Sequence, residues 1–205
     1  MGDIRMKKRS FTILTTLLTM LTLMPCADAY KAGAIIETNK GDIVIEFYEK
    51  EAPLTTAHMK QLIQDGYYNQ RGMRWHRVVP DFVIQTGDPT NTGKGGSDKT
   101  VDLEVRNGLS HCEAGIVAMA RGTALNSASS QFYITLSPQS SLDAKYAIFG
   151  RVIQGMRLLP KITPNDEVYQ IRLADVEQMA IEAEAPVQEH PFWGIFKSSK
   201  KKKAF

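Results

Sequence analysis

Cysteine is nearly missing from this chain: two in 205 residues, Cys26 and Cys112. That scarcity excludes a disulfide framework and leaves stability to a core that a chain of this length can build. Histidine is as thin, and His58, His76, His111 and His190 show no metal-ligand spacing. No metal or cofactor is therefore expected. The longest apolar run, residues 11–24, is about fourteen residues, short of the roughly 20 that a spanning helix needs. Basic residues are not interleaved with aromatics, which excludes an ordinary nucleic-acid face. Ser127, Ser129 and Ser130 lack a nucleophile-elbow context, so hydrolase chemistry is not indicated. Thr92-Gly93-Lys94-Gly95-Gly96 matches a phosphate-cradling loop in composition only, and reads as a surface loop lining a groove.

What the chain has instead begins with a leader. Lys7, Lys8 and Arg9 precede the apolar run, and Pro25 and Ala27-Asp28-Ala29 follow it. A basic head, a hydrophobic middle and a small-x-small end describe a secretory signal over residues 1–29, cleaved before Tyr30. An uncut membrane anchor and a lipoprotein acylated at Cys26 are the rival readings. The net charge of +3 is uneven: the first thirty residues carry +2 and the terminal lysines +5, which leaves about −4 on residues 31–196. Residues 30–183 are expected to form one domain. Residues 184–205 are expected to be a solvated basic tail, with loose contact to anionic lipid as the alternative.

Within the domain, β-type runs recur at 34–38, 42–47, 75–79, 82–86, 116–120, 131–136, 147–153 and 171–178, separated by Gly, Asn and Pro. Helices are expected over 53–65, where Pro53 suits the first position and Gly66 the residue past the end, and over 155–162. The pattern alone says mainly β with two helices.

Three stretches carry the chemistry. The first, Trp75-His76-Arg77-Val78-Val79-Pro80-Asp81-Phe82-Val83-Ile84-Gln85, is two short strands around a turn. The turn breaks the strand parity and lets a cation, a flat ring and an amide (Arg77, Phe82, Gln85) meet on one surface. A solvated edge arginine and a core phenylalanine would leave the same composition. The second contains Met119-Ala120-Arg121 and then Ser130-Gln131-Phe132-Tyr133-Ile134; the third runs Leu142-Asp143-Ala144-Lys145-Tyr146-Ala147-Ile148-Phe149-Gly150. In this order and spacing, from residue 34 to 179, the set resembles the cyclophilin family of peptidyl-prolyl cis-trans isomerases, and with the leader it resembles the bacterial exported members.

The resemblance implies a closed eight-stranded antiparallel β-barrel capped by two α-helices, and rotation about Xaa-Pro bonds in proline-containing segments of folding proteins. By the same resemblance Arg77 is the donor to the amide nitrogen and Gln85 holds the peptide backbone. Phe82, Val83, Tyr133 and Leu142 form the proline cup. Ala120, Arg121 and Gln131 line the backbone groove, and Tyr146 stands where histidine is common. Val83 and Tyr133 replace the family's usual methionine and phenylalanine, so a slightly wider and wetter cup is expected. Ser141 replaces a tryptophan that contacts cyclosporin, so weak cyclosporin binding is expected. A periplasmic monomer free of cofactors is the full expectation. A non-catalytic module that only holds proline peptides is the alternative, and His76 reads as a packed or structural histidine rather than a general base.

Overall fold

The structure, a computed structural model, describes residues 31–105 and 108–177. The expected leader and tail therefore lie outside the described residues. Eight strands form a single sheet in which every pairing is antiparallel: β1 (Ala32–Thr38), β2 (Gly41–Phe47), β3 (Arg77–Val79), β4 (Val83–Thr86), β5 (Ile116–Met119), β6 (Phe132–Thr135), β7 (Ile148–Gln154) and β8 (Val168–Asp175). Their spatial order is β3-β4-β6-β5-β7-β2-β1-β8.

Alternation explains why the sheet curls around a core. Ile43, Ile45 and Phe47 of β2 point inward with Ala34 and Ile36 of β1, and they meet Ile84, Val117, Met119, Phe132, Ile134 and Phe149. Trp75, Tyr68, Phe132 and Phe149 are fully buried there. Each such side chain contributes roughly 1.5–3 kcal/mol or more by leaving water. On the outer face a second, smaller cluster gathers Val83, Ile116, Ala118, Tyr133 and Ile148, with Phe82, Leu109, Leu142 and Tyr146 against it. An apolar cluster on the outside of a rolled sheet is not needed to close the core, and it marks where the site is built.

Two expectations change. The barrel is not closed by a continuous ladder: β3 and β8, the ends of the strand order, meet through one bridge at Arg74 and Glu167. It is flanked by Trp75 N–H to Asp166 O (3.2 Å) and Val168 N–H to Met73 O (2.9 Å). β3 is three residues long, and Trp75 just before it is fully buried. The helix expected over 155–162 is a single 3-10 turn, Leu159–Lys161. Gly155 sits at φ +88°, outside helical space, and Pro160 has no N–H to extend one.

The other helix forms as α1 (Pro53–Gln64), with Met59, Leu62 and Ile63 buried against the core. It has no cap from its own N-terminal residue. The Glu104 carboxylate accepts from Thr55 N (3.0 Å) and Thr55 Oγ1 (2.8 Å) instead, placing an anion at the positive end of the helix.

Candidate active site

Strand register brings the site together. Arg77 on β3 pairs with Gln85 on β4, Gln85 pairs with Tyr133 on β6, and Tyr133 pairs with Ala118 on β5. Directly opposed residues share a face, so a guanidinium, an amide and an aromatic ring stand in one row on the outer surface. Val83, two residues before Gln85, lies on the same face, while Ile84 between them points into the core. The turn joining β3 to β4 takes Asp81 to φ +57°. Its carbonyl accepts from Gln139 Nε2 at 3.0 Å, and the turn delivers Phe82 beside Arg77, whose guanidinium carbon lies 5.5 Å from the ring centre.

The row opens onto a hollow of about 270 Å³ lined by Arg77, Phe82, Val83, Gln85, Ala120, Arg121, Tyr133, Leu142 and Tyr146. Its walls are rings and aliphatic carbon, joined by the Gln85 amide and the guanidinium side chains of Arg77 and Arg121. A neighbouring groove of about 430 Å³ shares Gln85, Ala120 and Arg121 and continues past Gly93, Lys94, Gly95, Gly122, Ser127, Ser129 and Gln131. Nine of the ten residues that the sequence singled out line the hollow, and the tenth, Gln131, lines the adjoining groove. The loop read from Thr92 to Gly96 borders that groove through Gly93, Lys94 and Gly95.

The amides are ordered in series. Arg77 Nη1 donates to Gln85 Oε1 over 3.4 Å, Gln85 Nε2 donates to Gln131 Oε1 over 2.8 Å, and Gln131 Nε2 donates to Gly93 O (3.1 Å) and Gly95 O (2.6 Å). Both Gln131 donors go to the loop, so Gln131 fixes Gln85 and leaves it a donor for an incoming chain. The first link is long. The guanidinium is accordingly held weakly on the protein side and exposed on the other.

The 93–95 loop is itself built on Asp88, which is fully buried. Its carboxylate accepts from Thr90 N and Oγ1, Thr92 N and Gly95 N. Burial pushes its pKa up, but these bonds outweigh burial and hold it below the usual carboxylate value. Arg121 is pinned by Nε to Lys145 O (2.9 Å) and lies over the Tyr146 ring at 5.2 Å. It walls the hollow as a rigid cation.

His76 adjoins Arg77. Neither of its ring nitrogens makes a hydrogen bond of ordinary geometry. Burial lowers its pKa, outweighing the opposing pull of Asp88 and the Gln131 amide. The ring is neutral at pH 7 and adds no second charge at the donor.

One expectation about the cup is overturned. Tyr133 does not wet it: the residue is 4 % exposed, and its hydroxyl turns away to meet His111 Nε2 at 2.9 Å. The Tyr133 pKa is raised, mainly by burial. His111, fully buried, contacts Asp143 Oδ1 through Nδ1 (2.8 Å). Neither His111 nor Asp143 was singled out in the sequence for a part in the site. They are 32 residues apart, and nothing in either local pattern signals the contact. Among the described residues no three His, Cys, Asp or Glu stand together as metal ligands.

Comparison with known proteins agrees with this geometry. A family model described as cyclophilin type peptidyl-prolyl cis-trans isomerase matches residues 34–181. A "peptidyl-prolyl cis-trans isomerase-like 1" of Aspergillus fumigatus is 40% identical over 156 residues, covering 70% of this chain and 95% of its own. The peptidyl-prolyl cis-trans isomerase ppi1 of Schizosaccharomyces pombe is 45% identical over 135 residues, covering 64% and 84%. Among solved structures, a cyclophilin-type isomerase of Cryptosporidium parvum, crystallised in the presence of the dipeptide Ala-Pro, superposes with a TM-score of 0.64. It is 30% identical and covers 69% of this chain and 98% of that one. These relatives are eukaryotic, so the expectation of a bacterial exported member draws nothing from them.

Proposed function

The chain belongs to the cyclophilin family and is a peptidyl-prolyl cis-trans isomerase, and from that premise we propose which of its residues turn the bond and where it does so. Rotation about Xaa-Pro faces a barrier of about 18–20 kcal/mol because the nitrogen lone pair is conjugated with the carbonyl. At the midpoint of rotation that conjugation is lost and the pyramidal nitrogen becomes an acceptor. A donor aimed at it binds the twisted state better than either planar isomer.

The observation that carries this reading is the Arg77 guanidinium at the rim of a hollow walled by Phe82, Tyr133 and Leu142. The proline ring enters the hollow, where burying its methylenes contributes roughly 0.8 kcal/mol each. Arg77 reaches the nitrogen, and the free donor of Gln85 holds the backbone carbonyl on the preceding side. The segment before proline lies along the groove past Ala120 and Gln131. No proton leaves the substrate and no covalent adduct forms. All these residues come from one chain, which supports action as a monomer.

The test is exchange spectroscopy on a Xaa-Pro peptide. Cross-peaks between cis and trans forms should grow with catalytic amounts of protein; peptide binding without faster exchange would reduce the protein to a holder of proline segments.

We further propose export, with exported proteins as clients. The support is the leader: a basic head, about fourteen apolar residues and Ala27-Asp28-Ala29. Mass spectrometry of the protein from its own cells should find Tyr30 as the first residue. A chain that retains residues 1–29 would refute cleavage.

A further inference from the structure

The Asp143–His111 pair has no part in the mechanism above, yet it touches two walls of the hollow. Asp143 immediately follows Leu142, at the end of the 3-10 turn Ser140–Leu142. Its Oδ1 accepts the His111 backbone N–H (2.7 Å) and faces His111 Nδ1 (2.8 Å), while its Oδ2 accepts from Ser110 Oγ (2.8 Å). The Gln139 N–H donates to His111 O at 2.7 Å, tying the other end of the same turn to the same residue. From the opposite side of the imidazole, Nε2 lies 2.9 Å from the Tyr133 hydroxyl, and the two ring planes lie within 17° of each other.

A carboxylate can only accept, so Nδ1 presents a proton to Asp143; in the neutral ring Nε2 then carries none and is an acceptor. The Tyr133 hydroxyl must then donate to it. Its oxygen is spoken for, its ring plane is fixed, and in the lining of the hollow it meets the Tyr146 ring at 84°. A phenylalanine at this position would present the same face with nothing behind it to set the angle.

We propose that His111 is a positioning residue of the isomerase site: held as the Nδ1–H tautomer by Asp143, it fixes the Tyr133 ring and the Leu142 turn against each other and so sets the width of the proline pocket. This deepens the proposed function and rests on it, since a pocket width matters to turnover only if proline sits there. His111 touches no substrate; it acts through Tyr133 and Leu142.

Two measurements test it on the full chain. The first needs no activity. In protein labelled with ¹⁵N-histidine, His111 should show a protonated, pyrrole-like Nδ1 and a bare, pyridine-like Nε2 at neutral pH. A proton on Nε2 would overturn the proposal even if the enzyme turns over normally. The second is a kinetic cycle on a Xaa-Pro peptide. His111→Ala should raise KM roughly fivefold, the worth of one neutral buried hydrogen bond, with kcat within about twofold. His111→Gln, which keeps an acceptor, should recover most of that loss. In a Tyr133→Phe background the same His111→Ala change should move KM by less than about twofold, because the hydroxyl it serves is gone. An equal KM rise in both backgrounds, or none in either, would overturn the coupling. If His111→Ala does not fold, the tautomer of the unsubstituted protein decides. If the unsubstituted protein fails to speed exchange at all, the functional reading falls while the tautomer result stands separately.

Discussion

Replacing Arg77 with alanine separates catalysis from stability more sharply than any other change in this molecule. On the protein side the guanidinium makes one long hydrogen bond, 3.4 Å to Gln85 Oε1, and one ring contact, 5.5 Å to Phe82. Exposed contacts of this kind are together worth about 1 kcal/mol. In a domain of this size that lowers Tm by roughly 2–4 °C. On the substrate side the same group is the cation that β3 contributes to the lining of the hollow. Removing one preorganised donor from a developing acceptor costs about 2.7–4 kcal/mol, or a factor of about 10² to 10³ in turnover. Arg77→Ala should therefore lose two to three orders of magnitude in kcat/KM for cis-to-trans exchange and only those few degrees in melting temperature. Arg77→Lys should fall between, because an ammonium keeps the charge but lacks the rigid planar fork that spans Gln85 and the nitrogen together. Exchange spectroscopy with thermal unfolding on the same preparations reads both numbers. Retention of more than about half the activity by the alanine variant would refute the assignment of the donor, and a fall of activity matched by a collapse of stability would mean the residue is structural.

Three further outcomes follow from other parts of the structure. Burial lowers the His76 pKa, so above about pH 6.5 both folded and unfolded chains carry it neutral. Below that the unfolded chain takes up the proton first, and stability should fall with pH until the folded ring is also protonated; urea midpoints at pH 5 and 7.5 should differ in the His76 protein and less in His76→Gln. Gly87→Ala should lower stability by about 2 kcal/mol or more, because φ is +91° and a Cβ would overlap Ser130 O and approach Gln131 Cα to 2.9 Å; a urea midpoint within error of the parent would contradict this. Cyclosporin should bind poorly, since Ser141 offers an exposed hydroxyl in the 3-10 turn where the resemblance expects an indole. Calorimetry finding low-nanomolar affinity would overturn that expectation.

The parts of the fold that the sequence revealed are those governed by local rules. Apolar alternation located all eight strands, and Pro53 and Gly66 bracketed α1 to within a residue. What it misplaced was set by partners at a distance. β8 begins at Val168 rather than at 171 because Thr38 of β1 pairs there across a register shift. Leu158 and Leu159 resemble the buried face of a helix, yet Pro160 and the backbone of Gly155 leave only a turn. The site was legible where its residues lie on one hairpin, as Arg77, Phe82 and Gln85 do. It was opaque where two loops meet: Asp143 and His111 each read as ordinary polar residues until the fold brings them within 2.8 Å. The buried direction of the Tyr133 hydroxyl could not be anticipated without that contact.

The two ends of the folded body leave from the same place. Ala32 pairs with Asp175, and the Val176 N–H donates to Lys31 O at 3.0 Å, so the chain enters and departs along β1 and β8. No residue lining the hollow or the groove belongs to either strand, nor to β2 or β7. A fusion partner, an affinity handle or a surface tether joined ahead of Lys31 or behind Glu177 therefore starts from strands that contribute nothing to the working mouth.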